Sequence, residues 1–355
     1  IYGPTYAFKD YALQFLGKLF SNSLLKNPKK VTVLGATSGD TGSAAIHAFK
    51  ANQNINVFIL HPHGKVSPMQ QKQMTTVDEE NIFNIAIEGN FDDCQKIVKT
   101  LFIDDEIQNR TSLTAINSIN WARLIAQVVY YFWSHLQINN KDINFIVPSG
   151  NFGNIFSAYV AKQMGLPINR LHVATNENDI LKSIITRGQM TKKIVSQTYS
   201  PSMDIQISSN FERQMFESFD RDSNQVNNAF NEFHKTGNYL FNSNIIDNFK
   251  KIYDASSIND DETLVTISKV FEKYNYISDP HTATGLKLLM DKNDNETWVS
   301  LACAHPAKFN TAVKKAINKE IDIPSELSNL FDKKENMTIL PNSTQEVKNY
   351  LLQNI

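Results

Sequence analysis

The sequence predicts an α/β chain of two lobes, with mostly parallel sheets flanked by helices. Three observations lead there. Apolar, β-rich runs alternate with helical patterns through most of the chain, as repeated βα units do. Two strand-to-helix connections, residues 35–42 and 149–154, are rich in glycine and small polar residues. Such turns offer a helix N-terminus to an anion. The length, 355 residues, exceeds one minimal domain and suits two lobes or one large α/β domain.

The elements follow in order. Residues 31–35 read as a buried strand, followed by a Gly/Ser/Thr loop and a helix from about Thr41 to Ala51. Residues 56–61 read as a strand, and Ser67–Val77 as a helix opened by Ser-Pro. Residues 82–88 form a third strand and Asp92–Phe102 a helix. A long amphipathic helix is expected from Ser118 to about Leu136, opened by the polar residues Asn117, Ser118 and Asn120. A strand at 143–148 leads into the second Gly-rich loop with a helix behind it. A strand near 170–175 and a helix near 178–187 come next. Residues 195–260 are polar and irregular. Regular patterning returns with a helix near 261–274, a strand at 297–302 and a helix from about Pro306. The tail beyond Lys333 is polar and expected on the surface. The smaller lobe is expected at 31–115 and the larger at 1–30 together with 116–355.

Composition excludes several functions. Lys and Arg number 35 against 36 Asp and Glu, a formal net charge of −1, so no nucleic-acid partner is expected through bulk basic charge. No apolar run reaches the roughly 18 residues of a membrane span, so no membrane partner is expected. The two cysteines, Cys94 and Cys303, cannot build a disulfide framework and point to a reducing, cytoplasmic setting. Neither CxxC nor HExxH occurs, so no metal site is expected.

Four stretches can carry chemistry. In residues 4–10, Lys9 lies among small and apolar residues. Desolvation lowers a lysine pKa and frees an amine for Schiff-base chemistry, although most lysines near a helix start are solvated surface groups. In residues 35–42, Ser38, Gly39, Asp40, Thr41 and Gly42 join a strand to a helix without the spacing of a Walker A or dinucleotide loop. The segment reads as a cradle for a carboxylate or phosphate, or as a turn capped by Asp40 or Thr41. In residues 149–154, Gly150 and Gly153 let the backbone wrap an anion closely. With no Lys or Arg in the loop, N–H groups and the helix dipole would do the binding, unless the loop is only a tight turn. In residues 300–309, His305 beside a helix start is either a base or a structural hydrogen-bonding group, and His281 is a similar case. Lys65 sets a cation beside another helix start.

Together and in order, these stretches resemble the threonine synthase family, pyridoxal-phosphate-dependent enzymes with the tryptophan-synthase-β type fold. The matching text is PTYAFKD at 4–10, GATSGDTGSAA at 35–45, HPHGKVSP at 61–68 and EGNFDDCQ at 88–95. It continues with NSINWARLIAQVVYYF at 117–132, VPSGNFGNI at 147–155, DPHTATG at 279–285 and AHPAKF at 304–309. The resemblance runs from Ile1 to about residue 318. It implies that Lys9 forms a Schiff base with pyridoxal 5'-phosphate. It implies that Gly150, Asn151, Phe152, Gly153 and Asn154 hold the cofactor phosphate. Ser38, Gly39, Asp40, Thr41 and Gly42 would grip the substrate carboxylate. Cys303 stands where the family usually has a Thr facing the pyridine nitrogen, and a thiol is the weaker hydrogen-bond partner. Asn154 stands where some relatives have Asp. Lys65 is the candidate cation for the substrate phosphate.

The implied reaction converts O-phospho-L-homoserine and water to L-threonine and phosphate, the last step of threonine biosynthesis, in a monomer or homodimer. A phospholyase or dehydratase on the same fold is the alternative outcome, and an inactive truncated paralogue a third. Family members usually carry a longer region before the lysine motif, whereas eight residues precede Lys9 here. The chain is therefore expected to be a fragment or a form that lost this region.

Overall fold

The computed structural model describes residues 3–26, 29–50, 52–118, 120–138 and 142–355. The chain passes through α1 (Lys9–Lys26), β1 (Val31–Ala36), α2 (Asp40–Phe49), β2 (Ile55–Pro62), α3 (Pro68–Thr75), β3 (Ile82–Glu88), α4 (Phe91–Phe102), α5 (Asp105–Arg110) and β4 (Ser112–Ala115). It continues through α6 (Trp121–Ile138), β5 (Ile143–Pro148), α7 (Gly153–Gln163), β6 (Ile168–Thr175), α8 (Ile180–Arg187), β7 (Gln189–Thr191), α9 (Phe211–Ser218) and α10 (Ser223–Thr236). Next come β8 (Asn238–Leu240), α11 (Ser243–Ile252), β9 (Tyr253–Ser257), α12 (Asp260–Tyr274), α13 (Pro280–Met290), β10 (Thr297–Ser300) and α14 (Asn310–Ile317). The last elements are α15 (Ser325–Ser328), β11 (Thr338–Pro341) and α16 (Thr344–Gln353).

Contacts divide the chain into two compact units, Ile1–Ala122 with Asp322–Ile355, and Arg123–Ile321. In this division residues 9–30 and the C-terminal tail fall with the first sheet. That sheet has five strands in the order β11-β3-β2-β1-β4, all parallel. Side chains alternate across it, as a strand's period of two requires. Val33, Val57 and Ile59 join Leu13, Leu16, Ala45 and Phe49 of α1 and α2 in one core. Leu34, Phe58, Leu60, Ile85 and Ile87 face the other way, to Ile97 and Leu101 of α4 and Val347 and Leu351 of α16. Apolar side chains on both faces explain why β1 and β2 read as unbroken apolar runs. The second unit holds a four-stranded sheet, β10-β5-β6-β9, again parallel. A short antiparallel pair, β7-β8, lies apart from it.

Local chemistry sets the boundaries. Ser67 caps α3, taking the N–H of Gln70, with Pro68 at the first helical position. Asn90 and Asp93 close a capping box on α4, as Asn259 and Glu262 do on α12. Four expectations need correction. The expected irregularity of 195–260 gives way to α9, α10, α11 and β9. Helix α10 buries only Val226, Ala229 and Phe233 among polar neighbours, too narrow a stripe to read. The tail is not merely surface: β11 pairs with β3 from Thr338↔Ile85 onward, and α16 buries Val347 and Leu351. The segment after His305 begins as a 3₁₀ turn, Pro306–Phe309, and α14 starts only at Asn310. Helix α6 begins at Trp121 rather than Ser118, because Asn120 Oδ1 accepts the N–H of Ala122 at 3.0 Å. Ala51 and Ile119, at the edges of two expected helices, lie outside the described residues.

Candidate active site

The first unit carries Lys9 at the opening residue of α1. The turn before it is built by the polar residues of its own motif. Asp10, 1% exposed, accepts the N–H of Thr5 at 2.9 Å and of Ala7 at 3.3 Å, as well as the Thr5 hydroxyl. Gly3 packs against the same side chain, and a Cβ there would collide with Asp10 Cβ. Gln73 of α3 donates to the Thr5 carbonyl at 3.0 Å. Lys9 is thus presented from a braced turn, its side chain 16% exposed, with Nζ 3.9 Å from Asp40 Oδ2.

Asp40 begins α2 and sits in the Ser38–Gly42 loop. Gly39 has φ 134 and, as the N-cap, brings no side chain to α2, and a helix N-terminus of this kind suits an anion. Thr37 shapes the loop: its Oγ1 accepts the N–H groups of Gly39 at 3.0 Å and Gly42 at 2.9 Å. Gly42 fits tightly, since a Cβ would meet Thr37 Cγ2 at 2.6 Å. A carboxylate cannot donate to another carboxylate, so Asp40 can serve a bound carboxylate only through its N–H. Its side chain is turned instead to Lys9 and to Gln70 Nε2, 2.8 Å away. Lys65 is not part of this cluster: its Nζ donates to the Gly89 carbonyl at 2.9 Å.

The second unit carries the 149–154 loop between β5 and α7. Phe152 adopts φ 62 and α7 has no side-chain cap, so the first-turn N–H groups face outward from a helix with a positive end. A segment that sequence reasoning passed over wraps this loop. Ser208 Oγ donates to the Gly150 carbonyl, and Ser209 N and Oγ both donate to Asn151 Oδ1 at 2.7 Å. Asn210 N donates to the Asn151 carbonyl at 3.3 Å. A Cβ on Gly150 would come within 2.8 Å of Met203 Cα, which is backbone. Tyr131, buried in α6, donates to both the carbonyl and Oδ1 of Asn154, each at 2.8 Å, and burial pushes its phenol well above the usual range. Phe152 packs edge-on against Phe211 and Tyr253. The only sequence signal for this wrapping segment was the Ser-Ser-Asn run at 208–210.

Cys303 is placed by a buried carboxylate. Asp279, 0% exposed, accepts the N–H of His281 at 2.9 Å and of Ala304 at 3.3 Å and the Thr282 hydroxyl. Thr282 Oγ1 in turn accepts the N–H of Cys303 at 2.8 Å. His281 Nε2 accepts from Ser202 N at 3.2 Å, so its proton sits on Nδ1, 2.9 Å from Asp279. His305 Nδ1 accepts the N–H of Ala307 at 3.2 Å, capping the 3₁₀ turn. Burial holds His305 below the usual imidazole range. Both histidines therefore have structural partners.

Comparison with known proteins fixes the family. A pyridoxal-phosphate-dependent enzyme family matches residues 2–229, and the threonine synthase C-terminal family matches residues 282–351. Threonine synthase of Pseudomonas aeruginosa is 43% identical over 99% of this chain and 76% of its own length. The solved structure of pyridoxal-phosphate-bound threonine synthase from Brucella melitensis has TM-score 0.94 and 45% identity, covering 99% of this chain and 76% of that one. The yeast enzyme's structure has TM-score 0.91 and 41% identity, covering 99% and 76%. The chain belongs to the threonine synthase family. Its cofactor is pyridoxal phosphate, and the residues present suit that group. A threonine synthase needs an accessible amine, which Lys9 offers, and N–H donors for a phosphate, which the uncapped α7 offers. Among the described residues no group of three or more His, Cys, Asp or Glu could hold a metal. No described helix is long and apolar enough to cross a membrane.

Proposed function

We propose that the chain converts O-phospho-L-homoserine and water to L-threonine and phosphate, with Lys9 as its reacting amine. The observation that carries this is the braced turn of the first unit, which sets the Lys9 amine beside Asp40 at the opening of α1 in a member of this family. Pyridoxal phosphate, when bound, supplies an electron sink for charge developing on the substrate carbons.

The chain's own residues supply position and proton transfer. Lys9 would hold the cofactor aldehyde, and as a free amine its Nζ would take the proton from substrate Cα. The same amine is the group at hand to take one Cβ proton as the Cγ–O bond breaks and phosphate leaves with the bonding pair, and then to deliver a proton to Cγ; water adds its hydroxyl at Cβ, and Cα regains its proton. Within the Ser38–Gly42 loop, Gly39 and Gly42 give their N–H groups to Thr37, so the substrate carboxylate is held by the other N–H groups of the loop and by the α2 dipole, which fixes the orientation of the Cα–H bond. Lys65 meets the substrate phosphate after leaving the Gly89 carbonyl. Gly150–Asn154 would hold the cofactor phosphate through N–H donors, and Cys303 would be the partner offered to the pyridine nitrogen. In lobe terms, the 31–115 lobe handles substrate, and the larger lobe, 1–30 with 116–355, handles cofactor. Cys94 and Cys303 are buried thiols outside any disulfide, which suits a reducing compartment, and we assign the protein to the cytoplasm as a monomer or homodimer.

The test is one incubation with pyridoxal phosphate and O-phospho-L-homoserine, with threonine, inorganic phosphate and 2-oxobutyrate quantified together. Threonine and phosphate in equal amounts support the proposal. Phosphate with oxo acid and no threonine would make the protein a lyase of different outcome.

A further inference from the structure

Asp40 alone does not explain how the Lys9 amine is held. Its carboxylate sits on a short side chain with two rotatable bonds, and rotation about either would carry it away from Lys9. Gln70, in the first turn of α3, removes that freedom. Gln70 Nε2 donates to Asp40 Oδ1 at 2.8 Å, while Asp40 Oδ2 lies 3.9 Å from Lys9 Nζ. The two oxygens therefore have different tasks. Gln70 is itself fixed at its far end. Ser67 Oγ donates to Gln70 Oε1 at 3.0 Å and accepts the Gln70 N–H at 3.3 Å. A carboxylate only accepts, so the amide must present its NH₂ to Asp40, and the Ser67 hydroxyl agrees with that orientation. Gln70 is 1% exposed and Asp40 4%, so water does not compete for this bond. The loop makes room for it: a Cβ on Gly39 would collide with the Gln70 amide.

We propose that Gln70 is a positioning residue for the reaction, locking the Asp40 carboxylate beside Lys9 so that the lysine nitrogen is aimed and a proton it takes up is held there. The inference rests on Lys9 being the lysine that holds the cofactor. An opposite charge within about 4–6 Å favours the charged form of a nitrogen, and a carboxylate that swings away no longer does so. Two other ionisable groups on the packed elements have partners of their own. Asp10 of α1 is held by Thr5 and Ala7. Lys72 of α3 pairs with Glu335 at 3.2 Å. Burial lowers His47 of α2 and holds His61 of β2 at about 4.

The experiment titrates the visible absorption band of the cofactor-loaded protein against pH in four forms: parent, Gln70→Met, Asp40→Asn and the double variant. Gln70→Met keeps the length and removes the donor. Its midpoint should fall by about one pH unit, Asp40→Asn should fall at least as far, and the double variant should match Asp40→Asn alone. That masking follows if Gln70 acts through Asp40. An unchanged midpoint in Gln70→Met, or shifts that add in the double variant, would overturn the proposal. A variant that fails to take up cofactor is read instead from the pH dependence of Lys9 arylation by fluorodinitrobenzene, located by peptide mass spectrometry. The same fall in midpoint supports the proposal and an unchanged midpoint overturns it. A visible band that survives Lys9→Ala would refute the underlying reading of Lys9, which is a separate result.

Discussion

At the scale of single residues, the loops work because particular side chains are missing as much as because others are present. Gly150 is hemmed in by the Met203 backbone, 2.8 Å from where a Cβ would lie. Gly150→Ala must displace that segment, and overpacking of this kind costs about 1–3 kcal/mol. Gly150→Asp adds a negative charge where a phosphate is to bind. Cofactor affinity, read by absorbance titration, should fall in both variants and further in the Asp variant. Equal affinity in all three proteins would contradict the placement of the loop. That 35–42 and 149–154 join strands to helices was legible because each turn lies in contiguous text. Gln70, Ser208–Asn210 and Asp279 were not, since each acts on a residue 21 or more positions away. The partner of Lys65 was also hidden in one dimension: its Nζ donates to the Gly89 carbonyl, 24 positions on.

At the scale of elements, strands and helices with two-sided or broad apolar faces were readable from β1 through α4. The tail was not, because the fully buried apolar side chains of α16 are just Val347 and Leu351, with Tyr350 and Leu352 half-buried beside them. Lys348, between Val347 and Leu351, bridges Asp104 at 2.7 Å and Glu106 at 3.0 Å. Both partners in the closer pair keep part of their surface in water, Lys348 at 16% and Asp104 at 24%, and water-screened ion pairs contribute little, so the apolar pair is what anchors the helix. Leu351→Ala should therefore cost about 2–5 kcal/mol, measured by urea unfolding. Lys348→Ala should cost under about 1 kcal/mol. Equal losses would show that charge rather than burial holds α16.

At the scale of the whole molecule, two parallel sheets were foreseeable from the βα rhythm, whereas the long-range return of the chain to the first sheet through β11 was not. The fold also buries histidines in neutral form. Burial holds His61 and His172 at about 4 rather than 6.5. Between those values the unfolded chain binds protons that the folded chain refuses, so stability falls as pH drops from about 6.5 towards 4. Each such histidine contributes roughly 3 kcal/mol at the low end of the window. Neither ring nitrogen of His61 has a hydrogen-bond partner, so His61→Leu removes a titration without breaking a bond. Its unfolding free energy should match the parent within about 1 kcal/mol at pH 7 and exceed it below pH 6. Parallel pH profiles for the two proteins would contradict this.

The central claim is that the chemistry runs from the Lys9 amine, and borohydride reduction tests it most directly. The cofactor-loaded protein is reduced, digested and analysed by peptide mass spectrometry, with Lys9→Ala treated alongside. A pyridoxyl group on the peptide containing Lys9, absent from the variant together with turnover, is the result expected. A pyridoxyl group fixed on another lysine, or threonine formation persisting in Lys9→Ala, would contradict the account.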